Sequence, residues 1–223
     1  KPAAPEDLSA KKALALEVIA RLKKEYPDAA CTLDYDHAWQ LLVSVRLAAQ
    51  CTDARVNIVV EDLFAKYPSV AALAAAEPEE IEAIVKPCGL GHSKARDISA
   101  CMRMLRDKYD CKVPTTFEEL LSLPGVGRKS ANLIMGDVFG KPAIVTDTHC
   151  IRLCNKIGLV DGIKEPQKVE MALWKIIPPE EGSDLCHRFV MHGRAVCNAR
   201  KPECKKCCLS DICRCAREEA SNV

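Results

Sequence analysis

Two groups of residues in this chain have types and spacing that could do chemistry. The first lies in residues 123–149, which read Leu-Pro-Gly-Val-Gly-Arg-Lys-Ser-Ala at the start and Val-Thr-Asp-Thr-His at the end. The first five residues predict a tight turn, because proline presets φ and glycine allows positive φ. The exposed amides around Gly125 and Gly127, at the start of a helix, would form an anion site suited to phosphate.

Arg128 and Lys129 are unusual because they follow this turn directly, in the first turn of the next helix. The positive end of the helix dipole disfavours a cation there by about 0.3–1 kcal/mol. Either a polyanion faces the two residues, or one of them loses its proton. The alternative is a solvated pair that the helix tolerates at modest cost.

The second group is a set of cysteines near the end of the chain. Of 14 cysteines, four have the spacing C-x6-C-x2-C-x5-C, namely Cys197, Cys204, Cys207 and Cys213. Four thiolates in a short loop can hold tetrahedral zinc or one [4Fe–4S] cluster. Cys208 and Cys215 are additional thiols that leave the choice of ligands open. Arg200 and Lys201 lie between the first two cysteines and make the loop suited to phosphate contacts.

Helices are predicted to position both groups. Thr115 and Thr116 each precede a glutamate by three residues, which predicts a capped helix before the turn. After the turn an amphipathic helix is marked by apolar residues at i, i+3, i+4 and i+7, namely Ala131, Ile134, Met135 and Val138. Asp53 is predicted to cap another helix, and Asp147 or Thr148 to open a further one. No segment shows sustained strand alternation, so the sequence predicts an all-α fold.

The composition excludes several classes of protein. Hydrophobic residues make up 48% and charged residues 28% of the chain, which is typical of a globular protein. Aromatic residues are only 4%, which argues against binding of single strands by stacked aromatic side chains. The net charge is +1, so a nucleic-acid partner would need basic residues clustered on one face. We expect no membrane partner, because no apolar run approaches the roughly 18 residues of a membrane span.

The hairpin stretch followed by Val-Thr-Asp-Thr-His closely resembles the helix-hairpin-helix DNA glycosylases, and specifically the endonuclease III family. The resemblance implies that Lys129 is the catalytic nucleophile and Asp147 its partner. The cysteine spacing matches the iron–sulfur loop of this family, which implies a [4Fe–4S] cluster. Two domains with a cleft between them are also implied: a six-helix barrel with the helix-hairpin-helix over 31–141, and an iron–sulfur cluster domain of 1–30 with 142–223.

Two further residues gain a role only through this resemblance. Without it, Gln50 is a surface amide and Leu90 an apolar residue at a helix cap. In the family, the corresponding elements enter the duplex at the lesion. The resemblance implies that Gln50 fills the hole left by the flipped base and that Leu90 wedges on the opposite strand. Such residues offset the cost of unstacking a base.

The resemblance thus implies a bifunctional DNA glycosylase and AP lyase, acting on oxidised pyrimidines or abasic sites in double-stranded DNA. Lys129 would form a Schiff base and β-elimination would cut the strand. The alternatives are a monofunctional adenine-mismatch glycosylase, which lacks a lysine at this position, a non-catalytic duplex-DNA-binding module, and a zinc-structured interaction domain. We expect a monomer, cytoplasmic and nucleoid-associated if bacterial, or nuclear or mitochondrial if the chain is a trimmed eukaryotic form.

Overall fold

The structure is a computed structural model that describes residues 7–221. This part of the chain is helical and contains no β-strand, which confirms the all-α fold class. The chain divides into two compact units: Cys31–Gly140 forms one, and the chain before Cys31 together with the chain from Lys141 onward forms the other. No helix of the described residues is long and apolar enough to cross a bilayer.

The α-helices of the described residues, in chain order, are α1 (Leu8–Glu25), α2 (Ala38–Leu47), α3 (Asp53–Lys66), α4 (Val70–Ala75), α5 (Pro78–Val85), α6 (Gly91–Lys108), α7 (Phe117–Ser122), α8 (Arg128–Asp137), α9 (Thr148–Ile157), α10 (Pro166–Leu173), α11 (Gly182–Ala195) and α12 (Arg214–Ser221). Short 3₁₀ helices lie at Lys86–Cys88, Pro179–Glu181 and Cys204–Lys206.

Helices α2 and α6 form the centre of the Cys31–Gly140 unit. Nearly every residue of α2 is buried, including the polar Gln40 and Ser44. Helix α6 packs against α2, α4 and α5. Its buried face follows the helical period, with Ala95, Ile98, Met102 and Leu105. Helices α7 and α8 pack on each other, and α8 also packs on α2. The hairpin between α7 and α8 is therefore anchored to the core of this unit.

The other unit is built on contacts of α11 with α1 and α9. Helix α1 buries Ala15, Val18, Ile19 and Leu22, and α11 contributes the fully buried Phe189. Helix α12 packs on α9. Helix α12 is not predicted by the sequence, because it is short and rich in charged residues and has no buried residue that would mark an apolar face.

Two of the predicted helix caps lie in the Cys31–Gly140 unit. The prediction that Asp53 caps α3 is wrong: the cap is Thr52, whose hydroxyl accepts a hydrogen bond from the main-chain N of Arg55 at 3.3 Å, and Asp53 is the first helical residue. The prediction of a capped α7 is confirmed, because the hydroxyl of Thr116 accepts from the main-chain N of Glu119 at 3.3 Å. Adjacent Thr and Asp are both good caps, so the sequence alone does not distinguish them.

Candidate functional site

The hairpin between α7 and α8 is a tight turn followed directly by a helix start. The main-chain N of Val126 donates to O of Leu123 at 3.2 Å, which closes the turn. Gly127 is the N-cap of α8, and its O accepts the first helical bond from N of Ala131 at 2.9 Å. Because glycine has no side chain to cap the helix, the amides of the first turn of α8 remain available to an anion.

The turn rests on an ion pair between α2 and α6. Arg46 Nε lies 2.7 Å from Asp97 Oδ2. Gly125 has φ +75°, and a Cβ at this position would lie 2.8 Å from the Cβ of Asp97 and 3.3 Å from the Cδ of Arg46. Both the positive φ and the close approach require glycine here.

Arg128 and Lys129 have different surroundings. The guanidinium of Arg128 lies over the ring of Phe117, with its carbon 4.9 Å from the ring centroid, in a cation–π contact that helps hold it on the preceding helix. Lys129 is exposed and forms no ion pair with any residue that the structure describes. The structure therefore gives Arg128 a packing partner and leaves the amine of Lys129 open to a ligand.

Gln50 and Leu90 lie in the same unit and share an unusual backbone conformation. Both are left-handed, with φ of 56° and 50°, although neither is glycine. This conformation costs roughly 1–2 kcal/mol for a residue with a side chain. Both side chains are exposed, and Leu90 is exposed to 57%. Strained residues persist only where their surroundings fix them, and they are common at functional sites.

Lys94 is a buried lysine that is not among the residues predicted to have a role. It is 0% exposed, and its Nζ donates to O of Leu47 and to O of Cys88, at 2.8 Å each. Burial lowers the pKa of Lys94. A signal was present in the sequence, because Lys94 precedes Ile98 by four residues and so falls on the apolar face of α6.

Asp147 is the N-cap of α9, which confirms the prediction that a helix opens here. Its Oδ1 accepts from the main-chain N of Cys150 at 2.7 Å. Its Oδ2 accepts no hydrogen bond within the part of the chain that the structure describes. The cap therefore fixes the carboxylate in place and leaves one oxygen for a proton or a cation.

His149, two residues further on, packs inside its own unit. Its Nδ1 lies 3.2 Å from Nη2 of Arg152. A Cβ at Gly193 of α11 would lie 2.5 Å from the same nitrogen, so the ring is in close contact with that helix. These contacts account for His149 as a packing residue between α9 and α11.

The four spaced cysteines line a single cavity. Its lining includes Cys197, Cys204, Cys207 and Cys213. Cys215 also lines it, whereas Cys208 lies outside the lining, with its O accepting from Nη1 of Arg21 at 3.0 Å. Among the described residues, no group of three or more histidine, cysteine or acidic side chains is arranged around a single metal position.

The walls of this cavity are held by neighbouring helices. Nε2 of His192 lies 3.3 Å from Sγ of Cys207, and the hydroxyl of Tyr26 lies 3.0 Å from Nδ1 of the same histidine. Arg152 donates to O of Cys197 at 2.8 Å. Burial raises the pKa of Cys207 to about 11, so a metal would have to displace its proton on binding.

Arg200 and Lys201 lie on the exposed loop between Cys197 and Cys204. The main-chain N of Lys201 donates to Oδ1 of Asn198 at 2.6 Å, which closes a turn at this point. The loop thus presents both cationic side chains to solvent, as a phosphate-contacting element requires.

Comparison with known proteins gives consistent matches. A family model described as the HhH-GPD superfamily base excision DNA repair protein matches residues 43–179. Endonuclease III of Synechocystis sp. is 44% identical and covers 92% of this chain and 94% of its own length. Endonuclease III of Escherichia coli K12 is 37% identical, with coverages of 91% and 95%.

Two solved structures match with a TM-score of 0.88 at 40% identity, covering 94% of this chain and 98% of the matched chain. One is a non-covalent Endonuclease III–DNA complex. The other is a trapped Endonuclease III–DNA covalent intermediate. The likeness thus extends over nearly the whole chain.

The contact between the turn and the ion pair can be tested by Gly125→Ala. The left-handed backbone and the close approach to Asp97 should together lower the free energy of unfolding by at least about 1–2 kcal/mol. For a chain of this size, the Tm should fall by about 2–8 °C in a thermal unfolding experiment. Gly127→Ala is the matched control, because that φ is negative and a Cβ there meets nothing within 4 Å. An equal loss in both variants would contradict the account.

Proposed function

The chain belongs to the HhH-GPD superfamily of base excision DNA repair proteins, and we propose that it acts as a bifunctional DNA glycosylase and AP lyase on oxidised pyrimidines in double-stranded DNA. The observation that carries this proposal is the exposed Lys129 in the first turn of α8. A monofunctional glycosylase of the adenine-mismatch type lacks a lysine at this position. A pure binding module has no need of an amine held beside the anion site.

The hairpin would bind the DNA backbone. The first-turn amides of α8, which Gly127 leaves without a side-chain cap, donate to a phosphate, and the helix dipole favours the negative charge. The phosphate contact fixes the register of the duplex against the hairpin but carries no sequence information. Because the turn is anchored on Asp97 and Arg46, the phosphate and the amine of Lys129 are held at a fixed spacing.

Lys129 would then carry out the chemistry. Its neutral amine attacks C1′ of the damaged nucleotide; the C–N bond to the lysine forms as the bond to the base breaks. Opening of the sugar gives a Schiff base, and loss of a proton from C2′ expels the 3′ phosphate. Asp147 supplies a carboxylate, positioned by its cap on α9, that takes a proton or stabilises positive charge on the sugar.

Gln50 and Leu90 would compensate for the removal of the base from the stack. Unstacking costs a few kcal/mol, and a side chain in the gap recovers part of this. Both residues are exposed and strained, which suits side chains whose interactions form only with DNA. Gln50 has the hydrogen-bonding groups to fill the vacated position, and Leu90 has the apolar surface to wedge between bases.

Cys197, Cys204, Cys207 and Cys213 would hold a [4Fe–4S] cluster. The types of these residues suit this group, because thiolates are the ligands that such clusters take and all four residues line one cavity, although the described side chains do not converge on a single metal position. A bound cluster would supply structural order to the loop. Arg200 and Lys201, presented by that loop, would add phosphate contacts. All of the assigned residues come from one chain, so a monomer suffices. We propose that the protein acts where the DNA is, in the nucleoid of a bacterium or in the nucleus or mitochondrion of a eukaryote.

The nucleophile can be tested by trapping with borohydride, which reduces the Schiff base to a stable amine. The protein incubated with a duplex carrying thymine glycol and borohydride should form a covalent complex that survives denaturation. Lys129→Ala should abolish trapping while duplex binding largely persists, because the hairpin amides remain. Lys112→Ala, an exposed lysine of the same unit, should trap like the wild type.

Asp147→Asn is the second arm of this experiment. Asparagine retains an oxygen that can cap α9, so the fold should be kept. Trapping should slow, because the carboxylate charge is gone. If the wild-type protein releases the base without being trapped, it is a monofunctional glycosylase. If the wild-type protein binds the duplex without releasing the base, it is a non-catalytic module. Equal trapping by wild type and Lys129→Ala would show that the nucleophile is a different residue.

The ligand assignment can be tested by iron content. The purified protein should be yellow-brown and carry about four irons per chain. Cys207→Ser should lose most of the iron, because it removes a thiolate from the cavity lining. Cys208→Ser is the matched control: the residue is adjacent but outside the lining, and iron should be retained. Stoichiometric zinc without iron, or iron loss in Cys208→Ser alone, would overturn the assignment.

A further inference from the structure

Lys94 occupies a position on α6 that is unusual for a lysine. It is fully buried, and its ammonium donates to O of Leu47 and O of Cys88, at 2.8 Å each. Removing an ammonium from water is unfavourable unless its N–H groups find partners. Two main-chain carbonyls supply them here, so the hydrogen bonds explain how the lysine is accommodated.

Each of these carbonyls belongs to the last residue of a helix. Leu47 ends α2, and Cys88 ends the 3₁₀ helix Lys86–Cys88. Carbonyls at helix ends lack intrahelical partners and carry partial negative charge. A single cation between the two ends satisfies both. A side chain of similar size without N–H donors would leave both carbonyls without this partner.

The chain leads from these two helix ends to the two strained residues. Gln50 is three residues beyond Leu47, and Leu90 is two residues beyond Cys88. The main-chain N of Lys94 also donates to O of Leu90 at 3.1 Å, in the first turn of α6. We call residues 48–52 the Gln50 loop and residues 89–90 the Leu90 turn. Lys94 is therefore bonded to the residue before the Gln50 loop, to the residue before the Leu90 turn, and to Leu90 itself.

We propose that Lys94 is a positioning residue that holds the Gln50 loop and the Leu90 turn at a fixed spacing, so that both side chains can enter the duplex together. The inference rests on the proposed roles of Gln50 and Leu90. A left-handed backbone at both residues needs surroundings that fix it, and the shared ammonium provides a fixed point for both loops. Lys94 touches neither DNA nor the reacting atoms in this account.

The test compares Lys94→Met with wild type on two substrates, by single-turnover borohydride trapping. One substrate carries thymine glycol in a matched duplex, where the base must leave the stack. The other carries an abasic nucleotide in a one-nucleotide bulge, which is already outside the stack. Rates are expressed per active molecule, titrated on the bulge substrate, so that partial unfolding does not imitate the effect.

On the matched duplex, Lys94→Met should lower the rate by about tenfold, which corresponds to about 1.4 kcal/mol. On the bulge, the rate should stay within about twofold. Lys108→Met is the matched control, because Lys108 is an exposed lysine at the other end of α6. It should behave like the wild type on both substrates. Lys94→Arg, which keeps a cation and its donors, should recover part of the duplex rate.

Gln50→Ala and Leu90→Ala complete the experiment. Each of these variants should lower the trapping rate on the matched duplex and leave the rate on the bulge nearly unchanged. Adding Lys94→Met to the Gln50→Ala/Leu90→Ala double variant should cause little further loss of rate, because all three residues act on one step. If neither Gln50→Ala nor Leu90→Ala is selective, the proposed function of these residues fails. Suppose instead that Gln50→Ala and Leu90→Ala are both selective for the matched duplex. The positioning role alone is then overturned if Lys94→Met lowers the trapping rate equally on both substrates, lowers it on neither, or adds its full loss of rate to that of the double variant.

Discussion

The ion pair between Arg46 and Asp97 supports the hairpin that carries Lys129. It joins α2 to α6, and the turn lies against it so closely that only glycine fits at position 125. Both side chains are partly exposed, so the pair contributes little to the free energy of unfolding, on the order of 0–1 kcal/mol. Its importance is geometric: it forms the surface on which the turn is seated and so sets where α8 begins.

Helix α6 connects this support with the two strained loops. Asp97 faces the hairpin, and Lys94, three residues earlier, bonds to the ends of the helices that precede Gln50 and Leu90. The proposed phosphate site, the nucleophile and the two inserting residues are thus all fastened to one helix of the Cys31–Gly140 unit. Fixed spacing matters because a displacement of about 1 Å can cost a catalyst about a hundredfold in rate.

The sequence predicted those features that depend on local patterns. The all-α class follows from helical periodicity, the cap at Thr116 from its spacing to Glu119, and the helix opening at Asp147 from cap chemistry. These are confirmed. The spacing alone groups four cysteines, and the structure places all four around one cavity, together with Cys215. Their role as ligands, and the roles of Lys129, Asp147 and the DNA-contacting residues, stay predictions.

Other features depend on contacts distant in sequence. Gln50 and Leu90 have a left-handed backbone, although glutamine and leucine normally avoid it. The residue types therefore give no sign of this conformation. The partners of Lys94 are main-chain atoms, which carry no sequence signature. Its place on the apolar face of α6 does indicate that the side chain is buried. Thr52 and Asp53 compete as caps with similar intrinsic preference, and tertiary structure decides between them.

The central claim is that the amine of Lys129 forms the covalent bond to the sugar. The most direct measurement is to trap wild-type protein on a lesion-containing duplex with borohydride, digest protein and DNA, and locate the adduct by mass spectrometry. The account predicts that the remaining sugar is attached to Nζ of Lys129. An adduct on another lysine or on the N-terminal amine, with Lys129 unmodified, would contradict it.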